Sequence, residues 1–200
     1  MILCIPYNPS LPGGYDKLVS GIVRYGKHPA HTLFIVAKAE HEEGAFTMAM
    51  QLKDHFSRYF AITVPDQPEA PIRNSNRMFV AAMDALRSYK PLALEMPQPV
   101  MLYFDPSWRP TQDRWLDKFQ AEYYISGAPT TFGSFKTTGT AKVIGPVAIS
   151  CKFLRETKLL NFLPETVHWR EFLAWEIINS GLQAEALGRI LPAYIRPFTS

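Results

Sequence analysis

The feature that most constrains the fold is an alternation of short apolar runs with amphipathic segments through the first half of the chain. Four runs have the length and composition of buried β-strands: Ile2–Pro6, Thr32–Ala37, Tyr59–Val64 and Val100–Phe104. Three intervening segments carry apolar residues at helical spacing: one after Asp16 with Leu18, Ile22 and Val23, then Ala45–Phe56, then Asn76–Tyr89. Such alternation predicts an α/β fold, with a mostly parallel sheet flanked by helices on both faces.

The second half of the chain has a different pattern. It predicts an aromatic-rich helix at Asp113–Ser126, a polar loop at Gly127–Gly139 and a strand at Lys142–Ser150. Two more helices are predicted at Val167–Asn179 and Ala184–Ile190, with Gly181 ending the first of them. We therefore expect one domain over residues 1–200 with a helical C-terminal portion.

Composition and hydropathy argue against a disordered chain and against a membrane-spanning protein. Hydrophobic residues make up 47% of the chain and charged residues 20%, as in ordinary folded soluble proteins. The net charge of +3 is spread along the sequence, so it permits an anionic partner without requiring one. Cys4 and Cys151 lie in apolar runs typical of buried free thiols. The sequence has no apolar stretch of about 18 residues and no signal-peptide pattern, so we expect a cytoplasmic protein without a membrane partner.

Polar residues follow three of the predicted strands. Pro6-Tyr7-Asn8 follows the first strand, Lys38 the second and Asp105 the fourth. Strands joined by right-handed crossovers bring their carboxyl ends to one edge of the sheet, where ligands bind in such folds. The sequence therefore predicts a binding site at this edge.

The segment from Pro99 to Leu116 is the most informative about chemistry. An apolar strand runs into the carboxylate of Asp105, and Pro106 and Pro110 fix backbone torsions in the loop that follows. A carboxylate held in this way can bind a divalent metal on a diphosphate. By spacing alone, a role for Asp105 as a turn or helix cap is equally consistent.

The ordered set of motifs resembles small GT-A-type glycosyltransferases, which have a Rossmann-like sheet, particularly the compact ones encoded by bacteriophages. Their pattern is a strand ending in Glu/Asp-Pro-Asp, a proline, a Trp-Leu pair and a helix ending in Glu-Tyr. The matching residues here are Asp105-Pro106-Ser107, Pro110, Trp115-Leu116 and Glu122-Tyr123. Weaker matches lie at Pro6-Tyr7-Asn8, at Asn76-Arg77-Met78-Phe79, at Gly133 and at 145–149, so the resemblance covers roughly residues 1–150.

The resemblance implies a nucleotide-sugar donor, most commonly linked to uridine diphosphate, and a divalent cation, Mn or Mg. It implies that residues 1–105 form the nucleotide-binding half and residues 106–200 the acceptor side. The expected donor contacts are Pro6, Tyr7, Asn8, Lys38, Asn76, Arg77 and Lys142, and the expected metal ligands are Asp105 and Ser107. Ser107 stands where the family has a second carboxylate, which weakens the metal site. The alternatives are a simple turn at 6–8, a helix cap at Asn76 and solvated lysines at 38 and 142.

An inverting transfer needs a base near the acceptor hydroxyl. Glu165, His168 and Glu171 are the candidates, and the sequence does not choose among them or between inversion and retention. By resemblance the acceptor is a hydroxymethylpyrimidine in phage DNA, and a saccharide is the alternative. The rival function is a non-catalytic nucleotide- or nucleic-acid-binding module, which Ser107 favours. A dinucleotide-dependent enzyme is disfavoured because no Gly-x-Gly-x-x-Gly follows the first strand.

Overall fold

The computed structural model describes residues 1–9, 14–65, 71–89, 99–104, 106–136, 140–157, 163, 166–180, 184–186 and 195–197. Its strands are β1 (Ile2–Tyr7), β2 (His28–Lys38), β3 (Phe56–Val64), β4 (Val100–Tyr103), β5 (Trp108–Pro110), β6 (Thr131–Lys136), β7 (Lys142–Ser150), β8 (Ala184–Ala186) and β9 (Ile195–Pro197). Its α-helices are α1 (Gly14–Arg24), α2 (Glu42–Leu52), α3 (Pro71–Ser88), α4 (Trp115–Ile125), α5 (Cys151–Glu156) and α6 (Trp169–Ser180). Short 3₁₀ turns at Ala39–His41 and Lys53–His55 flank α2.

A seven-stranded sheet with the order β3-β2-β1-β4-β7-β6-β8 forms the centre of the fold. The first four strands in this order are parallel to one another, β7 is antiparallel to both β4 and β6, and β8 is parallel to β6. Among these strands β7 alone therefore runs in the opposite direction. The predicted mostly parallel α/β sheet is confirmed, and β5 and β9 form a separate antiparallel pair.

Two apolar cores lie on opposite faces of the sheet. One contains Leu18 of α1, Ala49 of α2 and Trp115 of α4, and the other contains Phe79 of α3 and residues of α5 and α6. Side chains alternate between faces along each strand, so neighbouring residues of β4 belong to different cores. This arrangement confirms helices on both faces.

The structure corrects three details of the sequence analysis. Thr131–Lys136, inside the predicted polar loop at Gly127–Gly139, is a strand because its backbone pairs with β7 and β8. Ala184–Ala186, predicted to begin a helix, is a strand because its backbone pairs with β6 at the edge of the sheet. The rest of that predicted helix, at 187–190, and Gly181 lie outside the described residues. Asn76 does not cap a helix, because α3 begins at Pro71 and places Asn76 in its second turn. The division of the chain at about residue 105 stays a prediction.

None of the helices in the described part of the chain is both long and apolar enough to cross a membrane. The expected cytoplasmic location stays a prediction.

Candidate functional site

The strands β1, β2 and β4 end at one edge of the sheet. Tyr7 pairs in register with Ala37, one residue before Lys38, and the backbone N–H of Phe104 donates to the carbonyl of Cys4 at 2.8 Å. The segments that follow these three strands therefore start from the same edge, as the sequence predicted. Asp105 itself lies outside the described residues, so its roles as catalytic residue and metal ligand stay predictions.

A cleft of about 460 Å³ lies beyond the ends of β1 and β2, and we call it the edge cleft. Its walls come from the end of β1, from α1, from the 3₁₀ turn after β2 and from α2. The lining residues are Tyr7, Pro9, Tyr15, Asp16, Val19, Glu40, His41, Glu43, Gly44, Thr47, Met48 and Gln51. Of the donor contacts predicted from the sequence, Tyr7 lines this cleft directly.

Two tyrosines shape the mouth of the edge cleft. The rings of Tyr7 and Tyr15 lie 4.8 Å apart and are tilted by 43°. The hydroxyl of Tyr15 donates to the carbonyl of Pro6 at 2.5 Å and accepts from the backbone N–H of Asn8 at 2.7 Å. Tyr15 thus fixes the path of the chain after β1, which the sequence analysis did not anticipate.

Gly44 in α2 makes room for Tyr7. A Cβ atom at this position would lie 2.8 Å from Cζ of Tyr7, closer than real Cβ atoms approach another atom. A glycine inside a helix costs roughly 0.5–1 kcal/mol relative to alanine, so it usually serves a packing need. The sequence analysis began this helix at Ala45, whereas α2 begins at Glu42, so Gly44 was not recognised as a helix residue.

The charges around the edge cleft are mainly negative. Glu40 and Glu43 line it, Glu40 forms an ion pair with Lys38, and Oε1 of Glu40 lies 3.1 Å from Nε2 of His41. Lys38 is therefore neutralised by an adjacent carboxylate at the strand end. Carboxylates accept hydrogen bonds from hydroxyl groups and repel phosphates, so this cleft suits a sugar or ribose better than a phosphate.

A second group of predicted residues lies where α3 meets the start of α6. The side chain of Asn76 is buried, its Nδ2 donates to the carbonyl of Val167 at 2.8 Å, and its Oδ1 accepts from the N–H of Trp169 at 2.8 Å. The ring of Phe79 stacks on Trp169 at 4.3 Å. Asn76 thus positions the entry to α6, and Arg77 beside it is half-buried.

His168 is held by hydrogen bonds at the start of α6. Its Nδ1 accepts from the backbone N–H of Arg170 at 3.2 Å, so in the neutral ring Nε2 carries the hydrogen, 3.4 Å from Oγ of Ser75. This is the arrangement of a helix cap. A general base needs an available lone pair, and the cap occupies it here. Glu171 is half-buried in the first turn of α6, while Glu165 lies outside the described residues.

Arg170 is a basic residue that the sequence analysis did not assign to the site. Its Nη1 donates to the carbonyls of Val143 and Gly145, each at 3.3 Å, and its guanidinium lies 4.7 Å from the ring centroid of Trp169. Gly145 in turn packs against Trp108, which directly follows Ser107. Tyr103, the last residue of β4, pairs with Val147, two residues after Gly145. This half-buried cation therefore lies toward the carboxyl end of β4, whereas Lys142 is exposed at the first residue of β7.

The described residues do not form a complete metal site. No three His, Cys, Asp or Glu side chains come close enough together to hold a metal ion in the parts of the chain given above. Of the predicted ligand pair, Ser107 is exposed in the turn after β4 and offers a hydroxyl only. The carboxylate of the predicted ligand pair, that of Asp105, lies outside the described residues.

No protein-family model matches the sequence, and no curated protein does. Solved structures, however, share the fold. Mouse xyloside xylosyltransferase 1 matches at a TM-score of 0.58 and 10% identity, covering 93% of this chain and 84% of that one. The mannosyltransferase PcManGT from Pyrobaculum calidifontis, in complex with GDP-Man and Mn²⁺, matches at 0.60 and 12% identity, covering 92% and 53%.

A nucleotide-transferring enzyme also has this fold. The nucleoside-diphosphate-sugar pyrophosphorylase from Vibrio cholerae matches at a TM-score of 0.52 and 10% identity, covering 93% of this chain and 91% of that one. Identities this low establish architecture and leave the reaction open. The chain therefore has a GT-A-like glycosyltransferase fold, with its edge cleft at the carboxyl ends of the parallel strands.

Proposed function

We propose that this protein is a nucleotide-sugar-dependent glycosyltransferase that moves a sugar from a donor linked to uridine diphosphate to an acceptor hydroxyl. The observation that carries the proposal is the edge cleft, an aromatic and carboxylate-lined space at the ligand-binding edge of a GT-A-like sheet. The fold neighbours that bind GDP-Man or transfer xylose support it by analogy.

The edge cleft supplies what a nucleoside requires. The tilted rings of Tyr7 and Tyr15 offer an apolar face for a base, and Glu40 and Glu43 offer acceptors for ribose hydroxyls. Pro6 and Asn8 contribute backbone that Tyr15 holds in place. In this proposal Lys38 keeps Glu40 oriented through their ion pair.

The diphosphate would then extend from the edge cleft toward the turn after β4. A divalent cation, when bound by Asp105 with Ser107, would neutralise the leaving nucleoside diphosphate. The chain's own residues contribute positive charge through Arg170, which its two carbonyl contacts hold against the start of β7, toward the carboxyl end of β4. Lys142 is exposed at the first residue of β7, so we assign it a lesser part.

On the acceptor side we propose Glu171 as the base of an inverting transfer, since the lone pair of His168 caps α6. Glu165 is the other carboxylate that the sequence offers. The acceptor suggested by resemblance is a hydroxymethylpyrimidine in DNA.

The test is a donor assay on the purified protein with and without Mn²⁺, in which nucleotide products are separated by chromatography. A sugar transferase releases a nucleoside diphosphate, whereas a pyrophosphorylase given pyrophosphate releases a nucleoside triphosphate and a sugar 1-phosphate. We expect release of the diphosphate, and absence of turnover with every nucleotide sugar would reject the proposal.

Two variants test the roles of the charged groups. We expect Asp105→Ala to lower kcat by about 10²–10³-fold, the cost of removing one group that stabilises transition-state charge. Arg170→Gln should lower kcat by roughly tenfold or more for the same reason. The exposed Arg87→Gln on α3 is the matched control and should keep full activity. If the unchanged protein binds donor without turning it over, and Asp105→Ala binds donor equally well, the chain is a binding module.

A further inference from the structure

A groove of about 480 Å³ runs between α1 and β5, on the side of α1 away from α2. Gly21 lies on its floor, where a Cβ atom would be 3.3 Å from Cδ of Pro110. Because Gly21 has no side chain, β5 packs closely against α1, and the two elements together line the groove. We call this space the α1 groove.

Positive charge lines the α1 groove. Lys17 and Arg24 are exposed on α1, and seven residues of helix place them on one face about 10 Å apart. Arg109 is exposed on β5 between two buried neighbours, so it points away from the core. Among the described residues that line the groove, these three cations accompany one carboxylate, that of Asp16.

An aromatic side chain accompanies the cations. Tyr25 lines the groove half-buried, and the guanidinium of Arg24 lies 5.6 Å from its ring centroid. Cations spaced along a groove with an aromatic face suit a chain of phosphates that carries flat bases, the pattern of single-stranded nucleic acid recognition. A single phosphate would use neither the 10 Å spacing nor the aromatic ring.

The α1 groove adjoins the edge cleft, because Asp16 lines both. We propose that the α1 groove binds the sugar–phosphate backbone of single-stranded nucleic acid and leads it toward the donor. The binding stands on its own, whereas the role of this strand as sugar acceptor rests on the proposed function. Lys17, Arg24 and Arg109 hold phosphates, and Tyr25 stacks a base.

The experiment measures binding of a fluorescein-labelled oligothymidylate to the full chain by fluorescence anisotropy at several salt concentrations. Each phosphate neutralised contributes about −0.7 to the slope of log K against log salt for single strands. The triple variant Lys17→Gln, Arg24→Gln, Arg109→Gln should therefore make the slope less steep by about 2. Tyr25→Leu should weaken binding about tenfold without changing the slope.

The matched control is a triple variant that removes exposed cations elsewhere: Lys53→Gln, Arg87→Gln and Lys152→Gln. It should keep the slope of the unchanged protein. Equal loss in both triple variants, no measurable binding, or equally tight binding of inorganic polyphosphate would each overturn the proposal. The last outcome would show that charge acts without base recognition.

The donor assay separates this inference from the proposed function. Oligonucleotide binding that depends on the α1 groove, in a protein that releases no nucleoside diphosphate, would reject the transferase and leave the groove standing. Donor turnover in a protein that binds no oligonucleotide would reject the groove alone. Thermal unfolding of the triple variant must match the control, which excludes misfolding as the cause.

Discussion

At the scale of single residues, position 145 in β7 has no room for a side chain, so a glycine is needed there. Its φ of +71° lies in the left-handed region, and a Cβ atom there would lie 2.6 Å from Cε2 of Trp108. The same residue offers its carbonyl to Arg170 at 3.3 Å. Gly145 therefore allows Trp108 to pack closely and also helps to hold Arg170 in place.

We predict that Gly145→Ala lowers the free energy of unfolding by about 2–5 kcal/mol. The left-handed backbone costs about 1–2 kcal/mol for alanine, and overpacking against a buried indole adds about 1–3 kcal/mol. Urea unfolding followed by circular dichroism measures the change. Gly26→Ala is the control, because Gly26 has a φ of +98° but no atom within 4 Å of the added Cβ. An equal loss in both variants would contradict the steric argument.

At the scale of elements, β2 and α4 meet through two buried histidines at the edge of the sheet opposite the edge cleft. His28 and His31 are fully buried in β2, and Nε2 of His31 donates to Oδ1 of Asp117 on α4 at 2.7 Å. Neither ring nitrogen of His28 has a hydrogen-bond partner among the described residues, and its ring lies 5.6 Å from that of Trp115. A buried ring without a hydrogen-bond partner favours the uncharged form of His28.

Burial lowers the pKa of His28 to about 4, helped by the neighbouring His31 and His55. Burial also lowers the pKa of His31, and the hydrogen bond to Asp117 only partly opposes it. Burial tends to raise the pKa of Asp117, but its hydrogen bonds to His31 and Arg114 outweigh this and hold the pKa below its usual value. The pair at neutral pH is thus a carboxylate and a neutral imidazole.

We predict that the protein loses stability as pH falls from about 6.5 to about 4. In this window the unfolded chain binds a proton at His28 and the folded chain does not, so acid favours unfolding by about 3 kcal/mol in total at about 1.36 kcal/mol per pH unit. The buried amino group of Met1, whose pKa burial lowers to about 6, acts above this window. Its effect is therefore separable from that of His28.

The measurement for this prediction is the urea midpoint at a series of pH values for the unchanged protein and for His28→Phe. We expect the variant to show a flatter dependence between pH 6.5 and pH 4, since it removes the group that titrates there. His41→Gln, outside the buried cluster, serves as the control. A dependence as steep in His28→Phe as in the unchanged protein would disprove the assignment.

At the scale of the whole molecule, one sheet separates two cores. Met101 and Leu102 are adjacent in β4 and fully buried, but they belong to different cores because successive side chains point to opposite faces. Since both cores pack on the same strands, neither can be lost while the other remains intact. We therefore expect the chain to unfold as a single unit.

We predict that Met101→Ala and Leu102→Ala each lower stability by about 2–5 kcal/mol, the usual cost of truncating a large buried side chain. Both variants should show one transition in urea, with an m-value equal to that of the unchanged protein. Tryptophan fluorescence and far-ultraviolet circular dichroism should give coincident curves. Separate transitions in either variant would show that the two faces unfold independently.

The order of strands and helices in the first half was predictable from the sequence because apolar periodicity is local. Short apolar runs such as Ile2–Pro6 are typical of buried strands. Right-handed crossovers then bring the carboxyl ends of these strands to one edge of the sheet. The sequence also predicted that Tyr7 lies at the binding edge. Asp105, on which the predicted metal site depends, is not among the described residues and remains a prediction from sequence.

Tertiary contacts decided the rest, because they join residues far apart in the chain. Ala184–Ala186 became a strand through pairing with β6, which local propensity does not encode. Asn76 holds the start of α6 through Val167, a partner 91 residues away in the chain. His168 caps α6 through the backbone N–H of Arg170, a contact that depends on where the helix begins. The α1 groove likewise depends on the close packing of β5 against α1 at Gly21. Local pattern thus determined which elements form, and packing determined which side chains meet.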